Sequence, residues 1–163
     1  MTWTDPTDAT ASVTAFTAAR EKTNILDNLR AIAEWTTYSP TVTQSGAVTK
    51  TVTYCKYKSY GGTLDVSGYL TMTGAGTIGN TITVSLPSGI QFATTTELTI
   101  GEGRITDASV PSTWPVLVQI ASATTVKFIR TDIASPTAYA GVDPSFALAS
   151  SDILAFRFSA ERN

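Results

Sequence analysis

The strongest constraint on the fold comes from residues 63–74, TLDVSGYLTMTG, in which apolar and polar residues alternate. One parity carries apolar or small residues: Leu64, Val66, Gly68, Leu70 and Met72. A side-chain period of two is that of a β-strand with one face on a core and the other on water or a partner. The polar face, which includes Tyr69, could hold a reaction site, a ligand or a protein contact.

Further strand patterns follow Pro40 along the rest of the chain. They occupy residues 40–44, 47–60, 80–87, 97–106, 114–122, 124–131 and 152–161. With residues 63–74 they predict about eight strands, a number and spacing typical of a mainly β, antiparallel β-sandwich. Gly61-Gly62 predicts a tight hairpin turn, because glycine adopts positive φ without cost. Gly101 and Gly103 predict a bulge or bend.

The segment before the strands has a different pattern. Residues 1–16 are polar and predict an extended arm, and Thr17 is a suitable N-cap for a helix over residues 18–34. The apolar residues of this helix, spaced by four and three, are Ile25, Leu29 and Ile32. They form either a short coiled coil or a face packed on the chain's own β domain, and we favour an oligomer interface. We therefore predict an anchoring and oligomerisation segment, 1–39, and a β domain, 40–163.

The composition disfavours several classes of function. Net charge is −2 and charged residues make up 15% of the chain, below the usual quarter, so nothing favours nucleic acid, which needs clustered cations. The cluster Lys50, Lys56 and Lys58 is expected to lie on a solvated strand face or edge. The chain has no His and one Cys, Cys55, which removes the commonest general base and a cysteine zinc site.

Targeting patterns are also lacking in the sequence. The start, MTWTDPTDAT, has neither a basic region nor an apolar core of the secretory type, and no apolar run reaches the length of a membrane span. We therefore expect no export by a signal peptide and no membrane partner.

Two patterns that might indicate an enzyme are better explained otherwise. GAGTIG at 74–79 matches a dinucleotide fingerprint, but a strand pattern and Pro87 follow it where that motif requires a helix. The carboxylates Asp65, Glu97, Glu102 and Asp107 could supply a catalytic pair, yet none lies in a recognisable motif. We predict that the protein is not an enzyme and uses no cofactor or metal.

Aromatic residues offer an alternative role in binding. Those that could stack on a sugar are Trp35, Tyr38, Tyr57, Tyr60, Tyr69, Trp114 and Tyr139. Most are expected in the core or at its rim. As candidate ligand or subunit contacts we select Tyr69, which lies on the polar parity of its strand, together with Tyr57 and Trp114.

Residues 16–40, FTAAREKTNILDNLRAIAEWTTYSP, resemble the opening of short tail-fibre-like and minor structural proteins of tailed bacteriophages. The matching features are Thr17, Thr23-Asn24 in reversed order, Asp27-Asn28-Leu29, Trp35 and Tyr38-Ser39-Pro40. Residues 57–74 are similar through Tyr57, Gly61 and Gly68, and ITVSLP also looks similar. The segment 143–161 matches in part, with Leu148 where the family has an aromatic residue and Ser151-Asp152 where it has Gly-Asp.

The resemblance implies a jelly-roll-like β-sandwich, usually trimeric, on the outside of a virion. We expect a minor tail or short tail-fibre protein, anchored by its arm through Trp3 and Phe16, whose partners are its own copies, other virion proteins and a host-surface glycan. Such proteins fold in the host cytoplasm and leave by lysis, so they need no signal peptide. The alternatives are a capsid decoration or head-fibre protein and a free carbohydrate-binding module.

Overall fold

The structure is a computed structural model that describes residues 34–132, 139–142 and 145–163. The predicted arm with Trp3 and Phe16, and the predicted helix with Ile25, Leu29 and Ile32, lie outside the described residues. Residues Trp35–Asn163 form one compact unit.

This unit is built from ten strands and, in the part that the structure describes, no helix. They are β1 (Thr36–Thr37), β2 (Val42–Gln44), β3 (Gly46–Val48), β4 (Lys50–Tyr60), β5 (Thr63–Met72), β6 (Thr83–Ser85), β7 (Thr99–Asp107), β8 (Ser112–Ser122), β9 (Thr125–Arg130) and β10 (Ile153–Glu161). All pair antiparallel in one sheet of order β1-β4-β5-β10-β7-β8-β9-β6-β2-β3. The prediction of a mainly β, antiparallel domain is confirmed.

The strand patterns in the sequence correspond closely to these elements. The segment 47–60 divides into β3 and β4 at Thr49, and β1 is an additional short edge strand. The hairpin predicted at Gly61-Gly62 is present between β4 and β5, with φ of 52° and 84°. A register shift in the β7–β8 pair lies between Thr99 and Gly101, which confirms the predicted irregularity.

The sheet curls so that one face encloses the core. Strands β9 and β10 are three positions apart in the sheet, about 14 Å on a flat surface. Yet the rings of Phe128 and Phe156 on these strands have centroids only 5.8 Å apart. The largest fully buried apolar side chains are Phe128, Leu64, Leu70, Met72, Ile82, Ile105, Ile120, Leu148 and Leu154. The alternation of β5 is therefore a division between this core and the outer surface.

Close packing around β10 depends on residues without side chains in its neighbours. Phe156 pairs with Gly68 of β5 and with Gly103 of β7. A Cβ at position 68 would lie 2.6 Å from Cζ of Phe156, and one at position 103 would lie 2.4 Å from the carbonyl oxygen of Ala155. These glycines thus permit a close approach between strands.

A buried glutamine holds the loops at one end of the core. Gln44 is fully buried; its Nε2 donates to the carbonyls of Phe146 at 2.7 Å and Asn80 at 3.1 Å, and its Oε1 accepts from the Leu148 amide at 2.9 Å. The GAGTIG segment, 74–79, lies against this side chain, because a Cβ at Gly76 would be 2.0 Å from its Oε1. This segment is a loop followed by strand β6, without the helix that a dinucleotide site requires.

Candidate functional site on the outer face of the sheet

The solvent side of β4, β5, β10 and β7 carries the chemically most varied surface of the described residues, and we call it the outer face. Its side chains form three cross-strand rows: Tyr54, Tyr69, Ala155 and Arg104; Lys56, Ser67, Arg157 and Glu102; Lys58, Asp65 and Ser159. Neighbours in a row have Cβ atoms about 5 Å apart. The rows therefore place aromatic, cationic and acidic groups within reach of one ligand.

An aromatic pair lies at the β4–β5 side of the outer face. The rings of Tyr54 and Tyr69 have centroids 6.1 Å apart and planes inclined by 31°. Tyr54 is 45% exposed, and the nearby Trp35 is 37% exposed. Large apolar side chains in strands normally turn to the core, so exposed rings in adjacent strands indicate a contact surface.

Two lysines lie over these and adjacent rings. The Nζ of Lys56 is 5.3 Å from the Trp35 ring centroid and 5.9 Å from that of Tyr54. The Nζ of Lys58 is 4.9 Å from the Tyr60 centroid. A cation within about 6 Å of a ring face is attracted to it, which restrains a side chain that would otherwise be mobile. The ammonium groups are therefore held beside the aromatic surface, and neither lysine belongs to an ion pair among the described residues.

An open depression of about 370 Å³ continues the outer face across β10 to β8. Its lining includes Asp65, Glu102, Leu117, Arg157 and Ser159. Two of the four carboxylates considered from the sequence, Asp65 and Glu102, meet here, with the Arg157 guanidinium strand between them. Asp65 also accepts a hydrogen bond of 3.0 Å from the Tyr60 hydroxyl, and this bond and the carboxylate charge raise the pKa of Tyr60.

The other two candidate carboxylates have structural partners elsewhere. Glu97 binds the ammonium of Lys127, whose side chain is almost buried and lies 4.2 Å from the centroid of the Tyr139 ring. Asp107 accepts hydrogen bonds from the amide and hydroxyl of Ser109 at 2.8 and 2.6 Å, as a turn residue does. Neither carboxylate lies beside Asp65 and Glu102 in the depression.

The three candidate contact residues from the sequence do not come together. Tyr69 lies on the outer face, whereas Tyr57 lies on the opposite side of β4 and packs edge-on against Tyr38 with centroids 5.7 Å apart. Trp114 packs against Phe146 at 4.9 Å and under the guanidinium of Arg130 at 4.1 Å. Of these three, only Tyr69 belongs to the site described here.

Sequence reasoning missed Tyr54, Lys56 and Arg157 as members of the same surface. The signal was present in part: in TYCKYKSY, residues 53–60, Tyr54 and Lys56 share a parity opposite to Cys55. The register that sets this parity against Tyr69 was not readable, because the β4–β5 pairing shifts between Val52 and Tyr54. Arg157 joins the site only through the placement of β10 beside β5.

Comparisons of the chain with protein-family models, with curated proteins and with solved structures find no match. Within the described residues, no cluster of three or more His, Cys, Asp or Glu has the arrangement of a metal site. Among the same residues there is no helix of sufficient length and apolarity to cross a membrane. The arrangement on the outer face is suited to binding through stacking and charge.

Proposed function

We propose that this chain is a structural protein of a tailed-phage virion, a minor tail or short tail-fibre protein that displays its β domain outward. The observation that supports a contact role is the outer face, where Tyr54, Tyr69 and Lys56 are presented together on a rigid sheet. The resemblance of residues 16–40 and 57–74 to phage tail-fibre-like proteins supplies the virion context. In this proposal the polar face of β5 touches a host-surface glycan or a neighbouring subunit.

The finer architecture belongs to the same proposal. The curled sheet is one half of what a jelly-roll-like sandwich would require, and we propose a homotrimer in which residues 1–39 anchor and associate. Ile25, Leu29 and Ile32 would form the trimer contact, with Trp3 and Phe16 in the anchoring arm. Leu29→Asp should convert the trimer to monomer in multi-angle light scattering, because an unpaired charge in an apolar interface is costly; a trimeric variant would exclude this interface.

The first test is the copy number of the chain in purified phage particles, measured by quantitative mass spectrometry against the major capsid protein. A few to a few tens of copies per particle would support a tail or neck position. Absence from particles would overturn the proposal and favour the free carbohydrate-binding module.

A capsid decoration or head-fibre protein is the second candidate. The neutral, threonine-rich composition that suits a densely coated shell favours it, since charged residues are only 15% of the chain. Copies in the hundreds, following the icosahedral symmetry of the head, would select this candidate over a tail protein.

A further inference from the structure

The outer face combines three features that together select a ligand chemistry. The first is a pair of exposed rings, Tyr54 and Tyr69, inclined by 31° and therefore forming a shallow aromatic strip. The C–H face of a pyranose ring packs well on such a strip, while its hydroxyls remain in water. Rings on neighbouring strands are fixed in position by the sheet, so little conformational entropy is lost on binding.

The second feature is the local charge. The three rows of the outer face contain the cations Lys56, Lys58, Arg104 and Arg157 but only the carboxylates Asp65 and Glu102. This surface is thus cationic on a chain whose net charge is −2. The ion pairs that occur in the described residues, Lys127–Glu97 and Arg130–Asp132, lie elsewhere, which leaves these cations open to an external anion.

The third feature is the continuity between the aromatic strip and the depression at Arg157. Lys56 of β4, Ser67 of β5 and Arg157 of β10 are successive members of one row. The row leads directly into the 370 Å³ depression lined by Arg157 and Ser159. A guanidinium there can bind a carboxylate through two parallel hydrogen bonds.

We propose that the outer face binds an acidic, carboxylate-bearing oligosaccharide that crosses the strands from Tyr54 and Tyr69 to Arg157. Sugar rings stack on the tyrosines, Lys56 attracts the chain's negative charge, and Arg157 binds a carboxylate in the depression. The inference deepens the host-contact role of the proposed function and rests on it for its biological setting. The opposite charge of ligand and surface is what selects an acidic glycan over a neutral one or a nucleic-acid chain.

The test is isothermal titration calorimetry of the full chain with three probes: a short oligogalacturonate, a short oligosialic acid and a neutral maltooligosaccharide. We expect at least one acidic probe to bind, at least about tenfold more tightly than the neutral probe. We also expect its affinity to fall as sodium chloride is raised, because the lysines are exposed to screening. Failure of both acidic probes to bind, or equal binding of the neutral probe, would overturn the inference.

Variants locate the binding surface. Tyr69→Thr retains a strand-forming residue, and Arg157→Gln removes an exposed charge; each should weaken binding of the acidic probe about tenfold. The matched control is Lys50→Gln, which removes a cation from the same strand β4 but at the parity of the buried Met72 partner, and it should leave affinity unchanged. Unchanged affinity in both Tyr69→Thr and Arg157→Gln would contradict the inference. Urea midpoints of all variants report whether each is folded.

The outcome is separable from the test of the virion assignment. Acidic-glycan binding by a chain that is absent from particles would retain the ligand and remove the virion role. A chain that is present in particles but binds neither acidic probe would keep the structural role and remove this ligand.

Discussion

The phenyl ring of Phe156 occupies the space into which a side chain at Gly68 would project. A Cβ at position 68 would lie 2.6 and 2.8 Å from Cζ and Cε1 of that ring, and 3.1 Å from Sγ of Cys55. Both Phe156 and Cys55 are buried, so the ring has little freedom to withdraw. The pairing of an aromatic residue with glycine in adjacent strands is thus a requirement of this core.

We expect Gly68→Ala to lower the free energy of unfolding by about 1–3 kcal/mol, because an added methyl group overpacks a dense interior. Urea denaturation followed by tryptophan fluorescence would measure it. The control is Gly46→Ala, since a Cβ at Gly46 has no atom within 4 Å. Equal effects of the two substitutions would contradict the packing argument.

Gln44→Ala should destabilise the domain by about 2–4 kcal/mol. The substitution leaves the Leu148 amide and the Phe146 carbonyl without their side-chain partner in a buried site, and such unsatisfied groups carry a desolvation penalty. Chemical denaturation gives the free energy, and hydrogen exchange should show faster exchange at Leu148. Gln91→Ala, at an exposed position, is the control and should be near neutral; retention of slow exchange at Leu148 in Gln44→Ala would refute the role.

Cys55 should resist modification in the native protein. Burial raises the pKa of its thiol from 9.0 to about 11, although Tyr38 and Lys50 act in the opposite direction. Because the thiolate is the reactive species, labelling with a disulfide reagent at pH 8 should be slow in the folded chain and fast in urea. Rapid labelling without denaturant would contradict the burial, and Cys55→Ser provides the blank.

The same burial makes stability depend on alkaline pH. The folded pKa of Cys55 lies above its unfolded value, so its contribution is fully present below pH 9 and is lost as pH rises towards about 11. Burial, and then the neighbouring Cys55, also raise the pKa of Tyr38, which acts with the same sign. Urea midpoints measured across this range should fall, and Cys55→Val should flatten the fall. An unchanged slope in this variant would exclude Cys55 as its source.

Glu97 should contribute stability with the opposite pH dependence. Its hydrogen bond from Lys127 and the attraction of that charge lower the pKa of Glu97, so the stabilisation exists above the unfolded pKa and disappears as pH falls through the folded one. We expect Glu97→Gln to destabilise at neutral pH, because it leaves the nearly buried Lys127 ammonium without its partner, and to weaken the loss of stability in acid. The control Glu102→Gln removes a carboxylate that has no ion pair among the described residues. Similar acid profiles for Glu97→Gln and the unmodified chain would exclude the pair.

Alternation was enough to predict most strands, because side chains in a half-buried sheet must divide between core and solvent. Residues 63–74 and 152–161 correspond to β5 and β10, and Gly61-Gly62 forms the expected turn. Strand order was beyond this reasoning, since a local pattern carries no information about which distant edge a strand will join. The short strand β1 has only two residues, too few to show a period.

The candidate site was predictable only at Tyr69, whose parity within β5 is unambiguous. Trp114 was selected as an aromatic residue in a strand, but the structure packs it under Arg130 and against Phe146. Tyr57 has the parity of the buried Cys55 in β4 and lies opposite Val66. An aromatic residue in an amphipathic strand faces outward or inward according to register, and register depends on the bulge near Thr53.

The position of β10 has a consequence for biosynthesis. It is the last strand along the chain, yet it pairs with β5 on one side and β7 on the other. A nascent chain leaving the ribosome can form the β4–β5 and β7–β8 hairpins early, but each then displays an unpaired edge until β10 emerges. Open edges of this kind recruit other chains. Domain closure is therefore postponed until translation has passed residue 161, and the interval before it is when a chaperone would be needed most.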